Sequence, residues 1–241
     1  MTRYAVVSCH AERPLDDDVW KRYEQLLERR PGGFAVTSFV RPPTDGEDPE
    51  RWLERARRVL ELAPLGHHTH WGGPRQARPR PGVDASAVTR TEIEWLRAND
   101  VAPRYFCGGG WYLDAEVAQT LAHFDYVDCT ATTFRQTYLP VGAARLQLAG
   151  PRRLVLPGGE TLLELPATHS LGALARGLLR LPAAVHVHFH DWELLRPARR
   201  SAIYGLLRAL ARVRRPLTIA ALAERSADAP ELGWDEATIA S

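Results

Sequence analysis

The sequence predicts an α/β fold in which parallel βαβ units make a barrel-like domain. Three observations carry that expectation. Short apolar, β-rich runs alternate with amphipathic helical stretches at close spacing along all 241 residues. No linker and no internal repeat interrupts the alternation. The conspicuous polar residues fall at the C-terminal ends of the predicted strands, where barrels of this class gather their function. One domain of about seven parallel strands accounts for the pattern, with residues 227–241 expected as a tail.

The elements follow in order. Residues 4–9 (YAVVSC) form a β-rich buried strand. Residues 16–30 form a helix, with aspartates at its start and Pro31-Gly32-Gly33 at its stop. Residues 34–40 (FAVTSFV) read as a second strand. An amphipathic helix over 49–62 carries Trp52, Ala56, Val59 and Leu60 on one side. Residues 64–68 make a third strand running into HHTHWGG. A proline-rich surface loop spans 74–84. A helix is expected over 89–99, then a short strand over 104–107 entering Gly108-Gly109-Gly110-Trp111. Asp114 caps the next helix, to residue 123. A strand over 124–131 (FDYVDCTA) follows, then a β-hairpin over 153–165 turning at Pro157-Gly158-Gly159. A helix over 171–181, a strand over 183–190, a helix over 197–214, a strand at 217–219 and a last helix complete the chain.

Composition narrows the function. With 31 basic and 29 acidic residues the net charge is +2. The arginines lie along helical stretches such as ERARR and RPARR, as on solvated helix faces, so neither a nucleic-acid groove nor a membrane surface is predicted. The 3 cysteines, Cys9, Cys107 and Cys129, are far apart and lack a CxxC pair, which fits a reducing compartment. No apolar run approaches membrane-spanning length, and the N-terminus lacks a signal-peptide pattern. A soluble cytoplasmic protein is expected, with apolar helix faces that leave room for a homodimer.

Three strand ends carry the chemistry. In HHTHWGG, residues two apart on a strand share a face, so His68 and His70 project together while His67 points away. Paired imidazoles suit a divalent metal, and the glycines after them let backbone approach a ligand. Trp71 offers a surface for a sugar ring, or else a lid over the core. In SCHAE, Ser8, His10 and Glu12 share a face, supplying a carboxylate ligand and a base. In VHVHFHDWE, His186, His188 and His190 stand on one face of a strand that should be apolar on both. His190, at the end, is the catalytic candidate, His186 a hydrogen-bonded core residue and His188 a neighbour of the site. Asp191 and Glu193 are placed to orient histidines, or Asp191 to cap the next turn. Gly109 and Gly110 form a wall that admits a substrate, with Trp111 beside them. Asp128 shares a face with Thr130 and Thr132 and hydrogen-bonds behind the site. A zinc site of two histidines, one carboxylate and an open position fits Glu12, His68 and His70. Cobalt or nickel would suit the same donors.

At these residues the chain resembles the polysaccharide deacetylases of the NodB-homology type, carbohydrate esterase family four. The order of motifs matches over nearly the whole chain: an acidic strand-one end, the histidine motif, an aromatic segment (FCGGGWY), a G-Y-x-x-D-x-S-like strand (FDYVDCTAT) and a terminal histidine motif (FHDWE). The resemblance implies a distorted (β/α) barrel and metal-dependent removal of an acetyl group from an N-acetylated sugar. It implies Glu12 as metal carboxylate, His68 as a metal histidine and His190 as general acid. The chain departs from the family pattern in three places. His10 stands at the position of the usual aspartate base. The second metal histidine's usual position is Gly72, so His70 must take its place. Cys107 stands where an arginine is usual.

The expected function is therefore a divalent-metal-dependent amide hydrolase acting on a small N-acetyl sugar or glycoconjugate precursor. Two alternatives use the same residues: another barrel metal hydrolase, of the amidohydrolase or phosphoesterase type, and a non-catalytic carbohydrate-binding descendant.

Overall fold

In the computed structural model, the apolar opening run forms β1 (Tyr4–Ala11), two residues longer than the sequence suggests. The structure describes residues 3–136, 145–178 and 181–239. Asp16 caps α1 (Asp17–Arg29), accepting the Asp18 and Val19 N–H groups, and Arg30 ends it in the left-handed region at φ 42°. Four residues make β2 (Thr37–Val40). Asp48 caps α2 (Pro49–Leu62), with proline at the first turn where a missing N–H costs nothing. The histidine stretch enters from β3 (Leu65–His67).

The next helix, α3 (Ala85–Ala98), begins earlier than expected because Asp84 accepts the Ala87 N–H and supplies the cap. Its Thr89 lies inside the helix, the hydroxyl donating back to the Ala85 carbonyl. Then come β4 (Tyr105–Phe106), α4 (Ala115–His123) capped by Asp114, and β5 (Val127–Asp128). After β6 (Arg145–Leu146), the expected hairpin is present as β7 (Arg152–Val155) and β8 (Thr161–Glu164), paired antiparallel.

Next are β9 (His169–Ser170), α5 (Leu171–Gly177) and β10 (Ala184–His190). The expected run of that helix to residue 181 crosses 179–180, outside the described residues. A 17-residue α6 (Pro197–Val213) leads to β11 (Arg215–Pro216) and α7 (Ile219–Arg225). The strand expected at 217–219 lies earlier because the Thr218 hydroxyl accepts the Ala221 N–H and starts a helix there. The expected tail carries three elements, β12 (Glu231–Gly233), α8 (Trp234–Ala237) and β13 (Thr238–Ile239). Leu232 pairs with Leu154 of β7 and Ala237 is buried, so backbone pairing and apolar contact hold this segment.

The fold is α/β with mostly parallel strand pairing. The chain divides into two compact units, one of residues 1–66 with 168–222 and one of 67–167 with 223–241. In the first, strands run in the order β2-β1-β10-β9, all parallel, and β11 also pairs with β1. Its register sets Ser8 opposite His188 and His10 opposite His190. Apolar neighbours such as Val7, Cys9, Val187 and Phe189 are buried, so the polar set is confined to one strand face.

In the second unit β12, β7, β8, β5 and β4 are neighbours in that order, and His67 of β3 pairs with Phe106. Its core gathers Trp71, Ile93, Phe106, Val117, Leu121 and Leu154. Among the described residues, no helix is long and apolar enough to cross a membrane.

Candidate functional site

The first unit gathers its imidazoles at the paired ends of β1 and β10. The His10 ring stacks on His188 with centroids 5.5 Å apart and meets His190 edge-on at 5.2 Å. Two residues deeper along β1, Ser8 Oγ and His186 Nε2 are hydrogen-bonded at 2.9 Å, so His186 is a hydrogen-bonded core histidine. His188 is fully buried, and burial holds its imidazole well below the ordinary value, hence neutral.

His190 makes three contacts with two carboxylates. Its Nε2 is 3.7 Å from Glu12 Oε1, its Nδ1 is 3.7 Å from Glu193 Oε1, and its backbone N–H donates to Glu193 Oε1 at 3.1 Å. Burial opposes its protonation, but Glu193 and then Glu12 outweigh that, and its pKa is raised. The Trp192 indole stacks on His190 at 5.4 Å, and its Nε1–H donates to Glu12 Oε2 at 3.2 Å. Glu12 is held from the backbone side as well. Arg41 sends its backbone N–H to the Ala11 carbonyl and its Nε–H to the Glu12 carbonyl, while Glu47 grips its other nitrogens at 2.7 and 2.8 Å.

Asp191 bonds backbone at the strand exit instead of a histidine. Its oxygens accept the backbone N–H groups of Arg13 at 2.9 Å and Trp192 at 2.8 Å, so it anchors the strand exit, and Glu193 is the carboxylate that orients His190. Burial, then the nearby charge of Glu12, pushes the Asp191 carboxyl up to about 6.

The second unit holds the other histidines. His68 Nδ1 lies 2.6 Å from the Cys107 carbonyl, which can only accept, so Nδ1 carries the proton and a neutral His68 presents a bare Nε2. That Nε2 is 3.2 Å from Nε2 of His70. His67 points elsewhere, its Nε2 2.7 Å from Glu92 Oε2, and Thr69 donates to the same oxygen at 2.6 Å.

The donors suit a divalent metal. Metal–nitrogen bonds near 2.0–2.1 Å at a tetrahedral angle set two nitrogens about 3.3 Å apart, and a histidine ligand normally donates its other N–H to a carbonyl or carboxylate. His68 and His70 meet the first requirement, and His68 meets the second.

Two of the expected ligand-facing groups are taken up by the chain itself. Trp71 is 6% exposed and sits in the core against Phe106 and Tyr112, with Nε1–H donating to the Ala85 carbonyl. It is the lid over the core, because its indole N–H has a buried partner and its ring has apolar neighbours on this unit's own elements. Gly109 and Gly110 are close-approach positions for protein rather than an open wall. A Cβ on Gly109 would lie 2.5 Å from the Thr69 carbonyl, and Arg78 packs on Gly110 and donates to its carbonyl at 2.9 Å. Gly110 also has φ +60°, which favours glycine. Trp111, equally buried, meets Phe134 edge-on at 6.2 Å.

Asp128 lies behind this loop. Thr130 Oγ1 donates to its Oδ1 at 2.7 Å and accepts the Gly108 N–H at 2.7 Å, a direct line from carboxylate to glycine loop. Its strand partner is Glu164, whose Oε1 accepts the Ala131 N–H at 2.9 Å. Both are 0% exposed, and burial, then their mutual charge, raises Glu164 well above an ordinary glutamate. Asp128 Oδ2 and Glu164 Oε2 are buried with no hydrogen-bond partner among the described residues.

Sequence reasoning missed Glu92, Glu164, Arg41 and Trp192. For two of them a signal was present. Glu92 adjoins the buried stripe Thr89, Ile93, Leu96 of α3, and Glu164 shares the buried face of β8 with Leu162.

No family model and no curated protein matches this chain. Solved structures with a similar fold include a 4-α-glucanotransferase from Thermococcus litoralis, at TM-score 0.58 and 13% identity over 97% of this chain. The chain spans 42% of that enzyme's length, and the likeness is one of fold alone. A family 4 carbohydrate esterase from Streptomyces lividans aligns at TM-score 0.49 and 11% identity, covering 87% of this chain and 86% of that one. A mutant family 4 pseudoenzyme with restored enzymatic activity aligns at TM-score 0.47 and 12% identity, covering 96% of this chain and 65% of that one.

Proposed function

We propose that this protein is a divalent-metal-dependent amide hydrolase that removes an acetyl group from a small N-acetyl sugar or glycoconjugate precursor. The observation that carries the reading is the pair of imidazole nitrogens at His68 and His70, 3.2 Å apart, with the His68 proton fixed on the other ring nitrogen. The motif order that resembles the deacetylases supports the substrate class. In this reading Glu12 joins His68 and His70 as the carboxylate ligand, and zinc is the metal that best suits two imidazoles and a carboxylate.

A bound divalent ion supplies Lewis acidity, polarising the acyl oxygen and acidifying a water. The rest falls to the chain. His10 takes a proton from the attacking water, and His188, neutral and stacked on it, maintains its orientation. His190, kept protonated by Glu193 and Glu12, gives a proton to the departing amine. Trp192 holds Glu12 and covers one face of His190. The compartment proposed is the cytoplasm, in keeping with the buried cysteines Cys9, Cys107 and Cys129, which form no disulfide among the described residues.

Elemental analysis of purified wild type and His68→Ala tests the reading. Near-stoichiometric zinc in wild type and its loss in the variant are expected, together with release of acetate from N-acetylated sugars. Wild type that takes up no zinc, cobalt or nickel on loading overturns it.

A further inference from the structure

The histidine loop is gripped from both sides, and one grip comes from a residue outside every motif that the sequence suggested. On one side the exit of β4 bonds to the loop backbone: the Cys107 N–H donates to the His67 carbonyl and the Gly109 N–H to the Thr69 carbonyl, each at 3.0 Å. On the other side stands Glu92, midway along α3. A single oxygen, Oε2, receives His67 Nε2–H at 2.7 Å and the Thr69 hydroxyl at 2.6 Å. These two residues flank His68. His67 and Thr69 are 1% and 0% exposed and the Glu92 side chain 19%, so the bonds are shielded on the loop side.

We infer that Glu92 is a positioning residue for the imidazole pair: by holding His67 and Thr69 it sets the rotation of His68 and the approach of His70. This rests on the metal reading above for its functional meaning, but not for its geometry. The strand ends at His67, so from His68 onwards no continuous ladder fixes the backbone. The two Glu92 bonds stand in for that ladder on the α3 side. They also settle the tautomer of His67. With Nε2 donating, a neutral ring leaves Nδ1 bare, and Nδ1 is buried with no hydrogen-bond partner among the described residues.

The loop then has one low-energy arrangement. His68 Nδ1–H reaches the Cys107 carbonyl only while residue 68 keeps its present orientation, and that orientation is what aims its Nε2 at His70. Removing Glu92 takes away the acceptor that Thr69 and His67 share and leaves them their mutual hydrogen bond at 3.1 Å, so the pair is no longer tied to α3. His68 then exchanges between tautomers, and the metal pair loses its preset separation.

The test uses the full chain in metal-free form first. Long-range nitrogen–proton spectra of the histidine rings should show a single Nδ1–H tautomer for His68 in wild type. Glu92→Ala and, independently, Thr69→Val should show a mixture of tautomers, whereas Glu92→Gln, which keeps an acceptor oxygen, should retain most of the wild-type signature. Zinc affinity, measured by competition with a chromophoric chelator, should fall about 10–100-fold in Glu92→Ala and by less than that in Glu92→Gln. A folded Glu92→Ala with an unchanged His68 tautomer overturns the inference. Should Glu92→Ala fail to fold, Thr69→Val decides, and an unchanged tautomer there overturns it equally. Wild type that binds no zinc would remove the metal reading, while the ring spectra would still decide the role of Glu92.

Discussion

His190 and Glu12 illustrate how much a single side chain's chemistry depends on its touching neighbours. Burial alone would keep the His190 ring neutral, yet Glu193 and Glu12 raise its pKa above 6.5. A raised imidazole contributes stability that is complete below pH 6.5 and is lost as pH climbs through its folded value. Glu193→Gln should therefore lower the His190 midpoint, read from its ring proton shifts across a pH titration. An unmoved midpoint would assign the control to other groups. Trp192→Phe separates two contacts, keeping a ring over His190 while deleting the N–H that reaches Glu12. A stability change within about 1 kcal/mol is expected, with zinc affinity several-fold weaker; unchanged affinity would show that Glu12 is held without the indole. The tryptophan is visible in the FHDWE motif, but its bond runs 180 residues back along the chain, and no local pattern encodes that.

The short elements owe their positions to side chains that the periodicity does not reveal. Asp84 starts α3 four residues before the apolar stripe suggests, and Thr218 turns an expected strand into a helix start. The glycine loop after β4 is shaped by contact. A Cβ on Gly109 would press on the Thr69 carbonyl at 2.5 Å and His70 Cδ2 at 2.7 Å, whereas Gly150 has nothing within 4 Å. Gly109→Ala should cost about 1–3 kcal/mol in thermal unfolding and weaken zinc uptake, with Gly150→Ala close to neutral. Equal melting of the two variants would show that the loop relaxes freely. Here the sequence indicated a close approach correctly but not its partner: the glycines admit the chain's own histidine loop.

Across the whole chain, the dependence of stability on pH gathers in buried carboxyl groups. Glu164 and Asp128 are both raised, by burial first, and Asp191 is pushed up to about 6. For an acid raised in the folded state, the unfolded chain ionises first. Stability is full below the ordinary carboxyl range and declines as pH rises from there through the folded values. From pH 5 to pH 8 this contribution falls, while that of His188, held low by burial, is lost as pH drops below 6.5, so the carboxyl part of the slope is read by difference. Glu164→Gln, a neutral isostere that can still accept the Ala131 N–H, should flatten that slope. Parallel slopes would locate the effect elsewhere. The buried thiols, also raised by burial, respond only in a more alkaline range than this comparison covers.

What the sequence determined by itself was the alternation of strands and helices, the hairpin at 153–165, and the three histidine-bearing strand ends, because periodicity and turn residues are local properties. It also separated His67 from His68 and His70, since alternate residues leave the chain in opposite directions. Only the tertiary structure decided which carboxylates serve those histidines. Glu92 reads as an ordinary helix residue until the histidine loop packs against it. It decided, too, that Trp71 and the glycines face protein, and that residues 231–239 form ordered elements instead of a tail. Hydrogen bonds between residues 20 to 180 positions apart depend on register and packing, and neither is written in the spacing of any one motif.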